Sequence, residues 1–406
     1  MPLPILAEAF AKGLSGIPHA YTVLKVLPWL VLTYLLKTYF GGASNKSERL
    51  MHSKVVMITG GTTGIGAEIA RSLAERGAQI ILLTQYPSDP FLVSYIDDLR
   101  SQTSNELIYA EQVDLSSLHS IRLFATKWVD NAPPRRLDLV VLCAATMTPP
   151  FARKGDTTID GVEVNWGLNY LANFHLLSIL SPAIKAQPPD RDVRIVFGTC
   201  ASYIGAKLDL KDPLHKRKQV SSTTLYGASK LALMVFAQSF QKHLDSYKRP
   251  DQQSMNARVI MVDPGWTRTP GMRRWLSMGS LWGLLLYLLT WPLWWLVLKS
   301  PPQGAQSFLQ AAMEAELGRG EGGKLLKECR EVAYARRDIK DEGIGKELWE
   351  VSEQQIEILE KEGAIKRATE KKAKEKDGNA DTPVEPEQGS SAKEKKSGSR
   401  RSRKAL

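Results

Sequence analysis

The chain has 406 residues, 43% hydrophobic and 8% aromatic, enough to bury one α/β core of roughly 250 to 300 residues and still carry flanking segments. Its net charge of +11 is uneven: residues 1–54 carry +4 and residues 361–406 carry +6, leaving +1 for the middle, so no basic nucleic-acid-binding face is indicated there. Cys143, Cys200 and Cys329 make no C-x-x-C pair and no even framework; this argues against a disulfide scaffold, fits a reducing compartment facing the cytosol, and indicates no metal site.

Residues 1–53 read as an apolar, membrane-associated segment and a linker. The stretch 21–40, YTVLKVLPWLVLTYLLKTYF, is interrupted by Lys25, Pro28 and Lys37, so its clean apolar runs fall short of the roughly 20 residues of a spanning helix. Lysines at both ends suit a helix seated in a membrane surface, from which they can snorkel. A signal peptide fits less well, because the apolar run starts late and the small-residue cleavage pattern is poor. Residues 41–54 are polar, with Gly and Ser, where a domain boundary is expected.

Residues 55–66, VVMITGGTTGIG, read as a buried strand, a glycine turn and a helix start. Gly60, Gly64 and Gly66 let backbone approach a dinucleotide pyrophosphate without Cβ atoms in the way, and the helix N-terminus aims N–H groups at the negative charge. A second strand, residues 80–84, ends in Thr84, Gln85 and Tyr86. An acid there would grip a ribose 2′-OH and repel a 2′-phosphate, so its absence points to NADP(H) over NAD(H).

Further along, Tyr226-Gly-Ala-Ser-Lys230 places a phenol and an ammonium one helical turn apart on one face. That pairing lets the lysine lower the tyrosine pKa from about 10 and makes Tyr226 a proton donor and acceptor. Residues 281–298, LWGLLLYLLTWPLWWLVL, meet the length of a membrane-span candidate, but Pro292 breaks them. They read instead as an interfacial or re-entrant hydrophobic lid with tryptophans at headgroup depth. Residues 346–359 are an amphipathic helix, and from residue 363 the basic tail reads as disordered.

The T-G-x-x-x-G-I-G turn, with Y-x-x-x-K about 160 residues later, resembles the short-chain dehydrogenases and reductases over residues 54–359, nearest to their retinol-dehydrogenase-like branch and to fungal lipid-droplet oxidoreductases. The resemblance implies a single doubly wound Rossmann-type α/β domain, residues 54–362, with a seven-stranded, mostly parallel sheet and residues 280–299 as the hydrophobic lid. It implies that Gly60, Thr62, Thr63, Gly64, Ile65, Gly66, Gln85, Asp114 and Ala144 contact the cofactor. Pro264, Gly265, Thr267 and Thr269 of a P-G-x-x-x-T match would do so at the nicotinamide, and Tyr226 and Lys230 at its ribose.

By the same resemblance Asn169 bends its helix and holds a water in the proton path. A serine should orient the substrate carbonyl; aligned without a gap its place holds Cys200, and we expect Ser202 to fill the role after a one-residue shift, with Thr199 second. Two departures stand out: the family's Asn-Asn-Ala-Gly is Leu142-Cys143-Ala144-Ala145 here, and the serine is displaced.

The resulting expectation is NADP(H)-dependent hydride transfer to or from a lipophilic alcohol–carbonyl pair (retinoid-, sterol- or lipid-like) at an endoplasmic-reticulum or lipid-droplet surface, with the catalytic domain facing the cytosol. A nucleotide-binding membrane scaffold, or an epimerase or dehydratase using the same Tyr–Lys pair, are the alternatives. Oligomeric state is left open.

Overall fold

Five central strands are mostly apolar runs because both of their faces are covered, as parallel sheets require. In chain order the elements are α1 (Ala20–Gly41), β1 (Val55–Thr59), α2 (Gly64–Glu75), β2 (Gln79–Thr84), α3 (Pro90–Thr103), β3 (Ile108–Gln112), α4 (Leu118–Val129), β4 (Leu139–Leu142) and α5 (Ala172–Lys185), which continues a short turn and a π-helical segment (Gly167–Leu171). Then come β5 (Val193–Gly198), α6 (Ser222–Asp245), β6 (Ala257–Asp263), α7 (Pro270–Leu276), α8 (Leu281–Leu289), α9 (Trp291–Val297), α10 (Pro301–Met313), α11 (Ala315–Arg319), β7 (Lys324–Lys327), β8 (Arg330–Val332) and α12 (Glu342–Gly378). The computed structural model describes residues 20–149, 156–212 and 221–378. It divides into Met1–Glu360 and Lys361–Leu406.

The strands form one sheet in the order β3-β2-β1-β4-β5-β6-β7-β8, parallel except for the β7–β8 pair. This is the doubly wound α/β architecture. Along β1, Val55 and Met57 face one hydrophobic core while Val56 and Ile58 face the other, the period of two expected of a strand. Strand order reverses between β1 and β4, so a crevice opens at their C-terminal ends, where ligands bind in such sheets.

Three expectations need correction. The sheet has eight strands, because β7 turns back into β8 through Glu328 and Cys329, both at φ 52°. Two successive residues of positive φ match the twist of a two-residue hairpin, but the usual Asn-Gly signal is missing. The linker after α1 is stitched to the domain: Met51 is buried and bonds Arg76 O, and Arg49 pairs with Asp192 at 2.6 Å. The tail expected to be disordered from residue 363 is helical as far as Gly378, since Ala, Lys, Glu and Arg are strong helix formers even without a core to join. Residues 379–406 of that tail, residues 1–19 and residues 213–220 lie outside the described residues.

Among the described residues no helix is long and apolar enough to cross a membrane. The hydrophobic lid is two short helices. Thr290 ends α8 and begins α9, and Pro292 stands in the first turn of α9, where its missing N–H costs nothing.

Candidate active site

The glycine turn follows directly from β1. Gly60 has φ 68°, and a Cβ on it would stand 2.8 Å from Ala144 Cα. A Cβ on Gly66 would come within 2.1 Å of Gly60 O, so both glycines are fixed by close backbone approach. Helix α2 begins at Gly64, also of positive φ, with Thr63 as an uncapped N-cap. Thr63 is exposed and Thr62 half-buried, while Ile65 packs on the second core. The first-turn N–H groups are thus presented at the crevice, a fit for a pyrophosphate.

The small loop after β4 keeps its place without the family's asparagines. Ala144 N donates to Thr59 Oγ1 at 3.2 Å, and Asn169 grips Thr146 from both sides, accepting from its N at 2.8 Å and donating to its O at 2.9 Å. Asn169 is fully buried in the π-helical segment, where Asn173 Nδ2 donates to its carbonyl at 2.8 Å. Its amide also donates to Ser229 Oγ at 3.2 Å, and Ser229 donates to Tyr226 O at 2.8 Å. Asn169 therefore joins the β4 loop to the helix that carries the tyrosine.

At the other end of the crevice Gln85 Nε2 donates to Asp114 Oδ2 at 2.9 Å, and Ser116 engages Asp114 Oδ1. An acid thus stands beside Gln85 after all, brought there by β3, with both oxygens already engaged. On the nicotinamide side, Gly265 has φ 72° and its N donates to Asp263 Oδ1 at 2.9 Å. Thr267 is buried and donates to Gly265 O at 3.4 Å. The Thr269 hydroxyl caps α7 by accepting from Met272 N, and its methyl stands over Gly64, so Pro264 to Thr269 meets the glycine turn.

Tyr226 and Lys230 share one face of α6, but their charges are arranged differently from the simple pairing. Lys230 Nζ is buried, donates to Gly198 O at 2.9 Å, and lies 5.8 Å from the Tyr226 ring centroid. Burial pushes the Tyr226 phenol well above its ordinary range, reinforced by Cys200 and Asp263, and burial pulls the Lys230 ammonium down. The ammonium is turned to the end of β5 rather than to the phenol oxygen.

Cys200, which holds the serine's place in the gapless alignment, reaches the phenol directly. Its Sγ donates to Tyr226 Oη at 3.5 Å and lies 2.8 Å from Ser202 Oγ. Ser202 sits exposed on the turn beyond, and Thr199 is buried with its hydroxyl unpartnered. Ser202, preferred from the sequence as the stronger donor, stands next to Cys200 rather than against the phenol.

Glycine turn, small loop, buried asparagine and Tyr–Lys helix stand around one crevice at the strand-order switch. The family described as short chain dehydrogenase matches residues 54–203. The chain is also 42% identical to an uncharacterized oxidoreductase, pbr1, of Schizosaccharomyces pombe, over 92% of this chain and 100% of that one. The chain belongs to the short-chain dehydrogenase/reductase family. Within this family it is 31% identical to retinol dehydrogenase 13 of Mus musculus, over 78% of this chain and 88% of the mouse protein, which sets it in the retinol-dehydrogenase-like branch. A solved structure of an uncharacterized protein from Mycobacterium paratuberculosis, 23% identical, shares the fold with a TM-score of 0.56 over 78% of this chain and 98% of its own. As a short-chain dehydrogenase/reductase the protein is an NAD(P)-dependent oxidoreductase.

Proposed function

We propose that this short-chain reductase interconverts a lipophilic alcohol and its aldehyde or ketone with NADP(H), at the surface of the endoplasmic reticulum or a lipid droplet. The bound nicotinamide supplies or accepts the hydride. Tyr226 gives the proton to the carbonyl oxygen in reduction and takes it back in oxidation. Burial keeps its phenol protonated, the form that gives a proton in the reductive direction. Lys230, buried beside Tyr226, anchors the end of β5 through Gly198 and is placed to meet the ribose hydroxyls.

The observation that carries the reading of substrate and place is an apolar surface beside the crevice. In α1 Trp29 is 70% exposed, and in the lid Leu281, Trp282 and Leu289 are 85%, 81% and 78% exposed. The end of α1 lies against α9, with Lys37 over the Trp295 ring at 5.1 Å, so the two apolar surfaces adjoin. Tryptophans at such a face suit the headgroup level of a lipid leaflet. A substrate passing sideways from lipid avoids water at a gain of about 0.8 kcal/mol per CH₂.

The test is a screen of long-chain and polyprenoid aldehydes, ketones and alcohols with NADPH and NADH, run alongside flotation of the intact chain on phospholipid vesicles. Turnover of lipophilic carbonyls by vesicle-bound protein is the expected result. A chain that remains soluble without detergent, or turns over only small polar carbonyls, contradicts it.

A further inference from the structure

Helix α1 does more than present an apolar face. Near its end Lys37 Nζ donates to two carbonyls, Trp295 O at 2.6 Å and Leu298 O at 3.1 Å. These are the C-terminal carbonyls of α9, the end of a helix that favours a cation. One residue beyond, the exit of the lid runs alongside the nicotinamide loop: Lys299 N donates to Trp266 O at 2.9 Å, Arg268 N donates to Lys299 O at 2.8 Å, and Arg268 stacks on Trp291 at 5.5 Å. The segment leaving α1 is fastened to the same place. Ala43 N donates to Glu328 Oε2 at 3.1 Å, Glu328 pairs with Lys299 through its other oxygen, and Asn45 N donates to Gln306 Oε1 at 3.0 Å.

We propose that Lys37 is a positioning residue for the active site: by capping α9 it holds the end of the lid, and through Leu298 and Lys299 the Pro264 to Thr269 loop. Seating α1 in a lipid leaflet and setting the lid over the nicotinamide end of the crevice then become one event. This last step rests on the lipid-surface reading above, whereas the cap itself does not. An anchor that merely tethers has no need of a lysine whose ammonium bonds backbone across 258 residues of sequence. Its partners are main-chain carbonyls, so only a cation long enough to reach both can replace it.

The experiment compares wild type, Lys37→Met and Lys37→Arg, each as the full chain on uncharged phosphatidylcholine vesicles, by hydrogen–deuterium exchange and by kinetics with NADPH and a long-chain aldehyde. In Lys37→Met, amide exchange over residues 294–299 and 266–268 rises about tenfold while the core strands are unchanged. Its KM for the aldehyde rises about tenfold with kcat changed less than about twofold, and Lys37→Arg restores most of both. Vesicle binding is retained, since the apolar face is intact.

Unchanged exchange in residues 294–299 overturns the cap, and raised exchange with unchanged KM overturns its role in positioning. Should no lipophilic carbonyl be turned over by any variant, the proposed function fails while the exchange data still decide the cap. If Lys37→Met does not fold, Lys37→Gln, which donates but is too short to reach both carbonyls, takes its place under the same criteria.

Discussion

Cys200 Sγ lies 3.5 Å from the phenol oxygen of Tyr226. A thiol thus stands beside the proton donor of the proposed reaction, with the Ser202 hydroxyl 2.8 Å from it. A thiol donates weakly, so if the thiol takes the place of the family's serine in the proposed reaction, it is a weaker polarising group than a hydroxyl.

From that contact, Cys200→Ser turns over faster than wild type, because a hydroxyl is the better donor, while Cys200→Ala loses about tenfold or more in kcat. Steady-state kinetics of the two variants check this. An alkylating thiol reagent should inactivate wild type but not Cys200→Ser. A Cys200→Ala enzyme equal to wild type would pass the role to Ser202, and Ser202→Ala would then decide.

Asn169 is fully buried and satisfies both backbone groups of Thr146. Replacing it with Leu leaves those groups unpaired next to Ser229, which should lower stability by about 2 to 4 kcal/mol. Turnover in the surviving folded fraction should drop as well, since the β4 loop and the Tyr226 helix lose their common tie. Denaturant melts and kcat measured on the same preparation check both.

His175 is buried and its pKa is pulled down to about 4, first by burial, with Arg122 adding to this and Glu360 opposing it. The folded value lies below the unfolded one of about 6.5, so the unfolded chain binds the proton more readily. Stability from this group is therefore complete above pH 6.5 and lost as pH falls toward 4, by roughly 3 kcal/mol in all. Thermal melts of wild type between pH 4 and 7 should show this slope, and His175→Gln should flatten it.

Strand β2 itself ends without an acid, and the Asp114 carboxylate beside Gln85 has both oxygens engaged by Gln85 and Ser116, which predicts higher kcat/KM with NADPH than with NADH. Gln85→Arg should widen the preference, since its guanidinium can meet a 2′-phosphate while pairing with the Asp114 carboxylate, 2.9 Å from the glutamine it replaces. Kinetics with both cofactors test this, and equal or better use of NADH by the unmodified enzyme would refute the charge argument.

The residues legible in the sequence were those whose chemistry is local. Gly60, Gly64 and Gly66 follow from a turn within one β–α unit, and Tyr226 and Lys230 from one turn of one helix. What stayed hidden depends on distant contacts or on rare backbone. Lys37 meets Trp295 only because the lid folds back to α1. The β8 hairpin rests on positive φ at Glu328 and Cys329, which nothing in their side chains announces. The direction of the Tyr226 shift could not be read either, because spacing shows neither how deeply the phenol is buried nor that the Lys230 ammonium turns to Gly198.

The central claim, that Tyr226 is the proton donor of an NADP(H)-dependent carbonyl reduction, is tested most directly by Tyr226→Phe. The substitution removes one hydroxyl and leaves the ring in place. With NADPH and a long-chain aldehyde, nucleotide affinity should stay within about twofold of wild type while kcat falls by about 10³. Wild-type turnover in that variant would contradict the account.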